Sequence, residues 1–169
     1  MFRRVFGTMK GERPLKPYEQ LRKHWDDTRA GIETTSHDES EVAALEARYG
    51  IRLPGDFREY LLMGSPLEEW DAWDNEMVTW WGLPRILNVP EEYDHWQTIK
   101  NPDVLSNATK YLFFADYCIW CWAWAIECGE GPNRGRVVII GGDDPFVADS
   151  FAEFVTRYSL DPVGVSVGV

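Results

Sequence analysis

The sequence predicts an α+β fold, with helices packed on a mixed, mostly antiparallel sheet. Three observations carry this reading. Amphipathic helical signals cluster between residues 18 and 64 and return between 150 and 158. Runs rich in β-branched and aromatic residues occupy most of the stretch between them. The turns joining those runs are of hairpin length, which favours antiparallel pairing. A chain of 169 residues with an apolar fraction of 44% has material for one ordinary core.

Residues 1–35 read as an N-terminal extension. Tyr18, Leu21 and Trp25 recur at i, i+3 and i+7, which predicts a short helix over 18–29, closed by Gly31. The domain proper is expected over 36–162. Ser36 followed by Glu39 has the pattern of a capping box. Val42, Leu45 and Tyr49 then form an apolar stripe, and Gly50 stands where a left-handed helix end is wanted. Ile51 and Leu53 make an extended link. Pro54 suits the first turn of a second helix, whose stripe is Phe57, Tyr60 and Leu61 and whose stop is Gly64.

Residues 65–76 form a loop with five acids and two tryptophans. Strands are expected over 77–82 and 85–88, broken by Leu83-Pro84. A helix is expected over 90–100, with Tyr93, Trp96 and Ile99 on one side and Asn101-Pro102 as its close. Residues 111–115 and 117–127 read as strands, 129–135 as a turn, and 136–140 as a strand rich in β-branched residues. Residues 141–145 are a loop, and Val147 starts a short bridge. Ser150 caps the last helix with Glu153 three residues on, and Phe151, Phe154, Val155 and Tyr158 are its inner stripe. Residues 163–169 are a Gly/Val-rich tail with no assigned element.

One stretch is more specific than its periodicity. Leu45-Glu46-x-Arg48-x-Gly50-Ile51-x-Leu53-Pro54-x-Asp56-Phe57-x-x-Tyr60-Leu61-Leu62 resembles the N-terminal signature of the SUKH superfamily. That family includes a fungal regulator of cell-wall synthesis and many bacterial immunity proteins against polymorphic toxins. Residues 137–158 look like its closing strand, loop and helix, with Asp149-Ser150-Phe151-x-x-Phe154-Val155 at the centre. The resemblance covers about residues 36–160. One departure is Met63-Gly64-Ser65-Pro66, where members often carry an Asn-Gly turn. The resemblance implies a single SUKH-like domain that binds proteins and is not an enzyme.

Charge agrees with that implication. The net charge is −11, yet the first 35 residues hold 8 Lys/Arg against 5 Asp/Glu, so the acidity lies in the domain. Such a field disfavours nucleic acid and membrane surfaces and favours a basic protein partner. No apolar run is long enough to span a membrane, and residues 1–7 lack the apolar stretch of a secretory signal, so a cytoplasmic protein is expected. The partner surface is expected at Glu68, Glu69, Trp70, Asp71, Trp73, Asp74 and Glu76, with Asp143 and Asp144 as a second acidic group. Two functions stand: an immunity protein that neutralises a basic, nuclease-type toxin domain, and a regulatory scaffold for cellular partners.

Catalytic signals are absent from the sequence. There is no Gly-x-Ser-x-Gly elbow, no His-Glu-x-x-His helix and no phosphate-cradling glycine loop. Gly129-x-Gly131 marks a turn. Glu91-Glu92 and Asp26-Asp27 fit solvated helix faces. Residues 141–144 have the acids to hold a hard cation, or simply to make a turn. Neither cofactor nor metal is expected. Cys118, Cys121 and Cys128 are an odd count without an export signal, which predicts reduced thiols. Read as one strand, residues 117–127 send Cys118 and Cys121 to opposite faces, and His24, His37 and His95 are scattered. The same reading places Trp120, Trp122 and Trp124 on one face, opposite Ile119, Cys121, Ala123 and Ala125. That tryptophan face is either core or a platform for a partner.

Overall fold

The computed structural model describes residues 13–67 and 72–166. Along the chain run α1 (Pro17–Thr28), β1 (Thr34–Thr35), α2 (Glu39–Tyr49), α3 (Gly55–Met63), β2 (Ser65–Pro66), β3 (Val78–Trp80), α4 (Val89–Glu92), α5 (Pro102–Ser106), β4 (Tyr111–Tyr117), β5 (Trp122–Glu127), β6 (Val137–Ile140), β7 (Phe146–Ala148) and α6 (Phe151–Leu160). Strands β3 to β7 form one sheet in chain order, and every pairing in it is antiparallel. Strands β1 and β2 pair separately, also antiparallel. The α+β class is as expected, and no parallel pair occurs among the described strands.

Aromatic side chains join the layers. On one sheet face Trp80 meets Trp25 of α1 at 5.6 Å and Tyr158 of α6 at 5.1 Å. Phe114 meets Phe57 of α3 at 5.8 Å and Phe151 of α6 at 5.4 Å, while Trp124 meets Phe154 at 5.8 Å. On the other face Trp81 meets Phe113 at 5.9 Å. Each such ring removes about 150–250 Å² from water, so this cluster is the main source of stability. Leu21 and Trp25 are buried in the same core, so α1 is an integral layer.

The helix pair follows its sequence with small shifts. Asp38, not Ser36, caps α2: its carboxylate accepts from Glu41 N at 3.0 Å, and Glu41 accepts from Asp38 N at 2.9 Å. Asp two residues on outcompetes Ser because its carboxylate makes charge-assisted bonds. Gly50 ends α2 at φ 58°, as read. Pro54 is the cap of α3 rather than its first residue. Glu46 accepts from Leu53 N at 3.0 Å and so fixes the link between the helices. Asp56 accepts from Ala152 N at 2.8 Å, tying α3 to the start of α6. Phe57, Tyr60 and Leu61 are fully buried.

Other segments depart from the sequence reading. Helix α1 ends at Arg29, which is left-handed at φ 56°, rather than at Gly31. Residues 83–85 are a 3-10 turn, and of 85–88 only Asn88 forms a bridge, to Leu112. The expected helix over 90–100 is instead short α4 and a 3-10 turn at Trp96–Thr98. Asn101 does not close a helix but caps α5, accepting from Asp103 N at 3.1 Å. At α6, Ser150 caps as expected, but Glu153 accepts from Asp149 N, leaving the box half formed. In the tail, Val165 is buried and its carbonyl accepts from Trp124 Nε1 at 2.9 Å.

Candidate functional site

Strand β4 does not stop at residue 115 and restart at 117. It runs to Tyr117 and turns back at residues 118–121 into β5. This is the largest correction to the sequence reading, and the candidate site is built on it. Cys118, Ile119 and Trp120 are all left-handed, at φ 48°, 57° and 64°. None is glycine, and each such residue costs about 1–2 kcal/mol.

Asp116 organises the turn. It is 7% exposed; its Oδ1 accepts from Trp120 N at 2.9 Å, and its Oδ2 accepts from Trp81 Nε1 at 2.8 Å. Cys121 N donates to Tyr117 O at 2.8 Å, and Cys118 N to Met77 O at 3.0 Å. The Trp120 ring stacks on Tyr93 at 5.3 Å and donates from Nε1 to Glu92 at 2.9 Å. Glu92 in turn receives Arg85 through two bonds of 2.7 and 2.6 Å. The braced turn lifts Ile119 to its apex, where it is 81% exposed. The turn therefore holds a large aliphatic side chain in water on a costly backbone, which makes this end of the sheet the candidate site.

Beside the apex lies the turn that precedes β3. Asp74 Oδ1 accepts from Glu76 N at 2.9 Å and Val78 N at 3.0 Å. Its Oδ2 accepts from Trp80 Nε1 at 2.9 Å and from the Tyr158 hydroxyl. Asp74 is therefore buried and committed inward, which corrects its expected place in the partner surface. Glu76 is exposed and Trp73 is half-buried. Met77 is left-handed at φ 64° and 45% exposed. Glu68, Glu69, Trp70 and Asp71 lie outside the described residues.

An open groove of about 290 Å³ runs along this edge, lined by Glu76, Val78, Tyr117, Trp122, Pro162, Val163 and Ser166. Its wall is a Tyr117–Trp122 stack at 4.3 Å and 11°. Trp122 Nε1 is shielded from solvent and has no acceptor among the described residues.

The second acidic group divides in the same way as the first. Asp144 is buried, accepting from Gly141 N at 3.0 Å and Lys100 N at 2.8 Å. It holds the loop between β6 and β7, a correction to its expected exposed role. Asp143 points outward and pairs with Lys100 at 2.7 Å, which holds its carboxyl below the ordinary range. The two acids thus diverge and do not chelate together. Gly141, at φ 124°, sits so close to Trp122 that a Cβ would lie 3.1 Å from its Cα. The loop therefore abuts the apex, and Trp73, Glu76, Ile119, Trp122 and Asp143 share one end of the sheet.

The tryptophan and cysteine readings change accordingly. Trp124 is buried core, and Trp122 shares its face at the groove. Trp120 lies on the opposite face, against Phe113 at 5.2 Å. Cys118 and Cys121 occupy the turn, so a strand-parity argument does not separate them. Ile119, Asp116 and Met77 were not singled out from the sequence. The available signal was length: an apolar run from 111 to 127 exceeds an ordinary strand and must turn.

The opposite end of the sheet carries a cavity of about 390 Å³ lined in part by Arg52, Lys110, Tyr111 and Glu127. Burial raises Glu127 and Tyr111 above their ordinary ranges. No group of three His, Cys, Asp or Glu among the described residues is placed to hold a metal. No helix among them is long and apolar enough to cross a membrane.

Residues 37–157, well over half of the chain, match the family model described as the SMI1 / KNR4 family (SUKH-1). No curated protein matches the chain.

Proposed function

The chain belongs to the SMI1 / KNR4 family (SUKH-1), and from that premise we propose that it is a non-enzymatic protein-binding domain. Its role in this proposal is that of a cytoplasmic immunity protein that neutralises a basic, nuclease-type toxin domain. The observation that carries the reading is the exposed Ile119 apex beside the Tyr117–Trp122 groove, within a strongly acidic protein. An apolar anchor supplies binding energy, and outward acids such as Glu76 steer a partner that must be basic to hold phosphate. Glu68, Glu69, Trp70 and Asp71 belong to the same acidic stretch of sequence as Trp73 and Glu76.

The test is co-expression with the C-terminal domain encoded by the adjacent gene. Growth rescue with a stable, salt-sensitive complex is the expected result. Replacing Glu68, Glu69, Asp71 and Glu76 by their amides weakens that complex. Rescue without a complex overturns the binding reading. Regulation of cellular partners becomes the better account if no toxin gene lies nearby and a host protein binds at the same apex.

A further inference from the structure

We propose that Cys118 and Cys121 form a reversible disulfide site that closes the apex turn. The inference is independent of the partner assigned above. The two cysteines bracket Ile119 and Trp120 in a single turn, closed by the bond from Cys121 N to Tyr117 O at 2.8 Å. Such a turn brings residues three apart within about 7 Å, which overlaps the Cα separations a disulfide spans. Cys121 Sγ lies 3.2 Å from the Cys118 carbonyl oxygen, so its sulfur already folds back over Cys118. Cys121 is exposed and Cys118 half-buried, so a small reagent reaches the pair, whereas Cys128 is buried.

The co-reactant is a low-molecular-weight disulfide such as glutathione disulfide. The Cys121 thiolate attacks one sulfur of that disulfide, and one glutathione thiolate leaves. The Cys118 thiolate then attacks Cys121 Sγ of the mixed disulfide and expels the second glutathione. Two protein thiols are oxidised, one disulfide is reduced to two thiols, and the two protons lost by the cysteines are taken up by the departing thiolates. The Cys121 thiol is held above its ordinary value of 9.0 by desolvation and by a hydrogen bond with Cys118. Exchange is therefore slow at neutral pH and quickens as pH rises, because the thiolate is the nucleophile. Closure fixes Ile119 in its presented position, because a crosslink removes the turn's other conformations.

The folded protein is incubated with excess glutathione disulfide and followed by intact mass and peptide mapping. The expected product has lost two hydrogens, carries a 118–121 crosslink and keeps one free thiol at Cys128. The Cys118→Ser variant instead retains a glutathione adduct at Cys121. A persistent adduct on Cys121 of the unaltered protein, a disulfide-linked dimer, or three unreacted thiols after prolonged treatment at alkaline pH each overturns the proposal.

Discussion

In the helix pair, Phe57, Tyr60 and Leu61 leave water completely, and the caps and link are matched by Asp38, Glu41, Glu46 and Gly50. At the turn between β4 and β5, Ile119 stands in water and three consecutive non-glycine residues are left-handed. Local preference and tertiary structure agree in the first region and conflict in the second. Agreement is what a scaffold needs to fold. Conflict persists only where the surroundings enforce it, as Asp116, Trp120 and Glu92 do here, and such places are where function concentrates. The acids repeat the contrast on a smaller scale. Asp74 and Asp144 face inward and build turns, while Glu76 and Asp143 face outward.

The comparison is sharpest where stability and binding separate. The largest expected effect is in the scaffold: Phe57→Ala empties a site packed by Tyr60, Phe114 and Phe151 and costs about 3–5 kcal/mol, read by chemical denaturation. Asp74→Ala follows. It strands the indole N–H of Trp80 and the Tyr158 hydroxyl in the core, at about 1–3 kcal/mol for each buried group left unpaired. If Asp74→Ala unfolds no more readily than Glu76→Ala, the division into inward and outward acids fails.

A smaller effect belongs to the far end of the sheet. Glu127 is raised above its ordinary value of 4.5 by burial. A carboxyl raised in the folded state contributes its stability fully below the unfolded value and loses it as pH rises through the folded value. The contribution of Glu127 to stability therefore falls across that window, and Glu127→Gln removes that fall. An unchanged slope in a pH series of denaturation curves contradicts this. The smallest stability effect is at the apex: Ile119→Ser removes no buried contact and keeps a left-handed side-chain-bearing residue in the turn, so unfolding shifts by less than about 1 kcal/mol.

Much of the scaffold was legible in the sequence because its elements obey local rules. The stripes of α2, α3 and α6 and the cap at Gly50 could be read from spacing alone. Ser36-x-x-Glu39 and Asp38-x-x-Glu41 satisfy the same pattern, and only the folded chain selects the second. Beyond the excess length of the run, the position of the apex was not legible. Residues 111–127 contain no glycine, proline or asparagine to mark a turn, and the buried carboxylate of Asp116 that enforces it acts through Trp81, distant in sequence. The inward commitment of Asp74 was hidden for the same reason, since Tyr158 lies at the far end of the chain. Trp73 and Glu76 were named as candidates because they share an acidic, aromatic stretch with a visible composition, and Glu76 is exposed.

The central claim is that binding resides at the apex end of the sheet and folding resides elsewhere. Its most direct test is the affinity of the co-expressed toxin domain for Ile119→Ser, set beside Arg52→Glu at the opposite cavity, with thermal unfolding recorded for both. The account predicts that Ile119→Ser weakens the complex by about 2 kcal/mol or more, roughly thirtyfold, with unfolding unchanged, while Arg52→Glu leaves affinity intact. An unchanged affinity for Ile119→Ser together with a loss for Arg52→Glu contradicts it and moves the site to the other end.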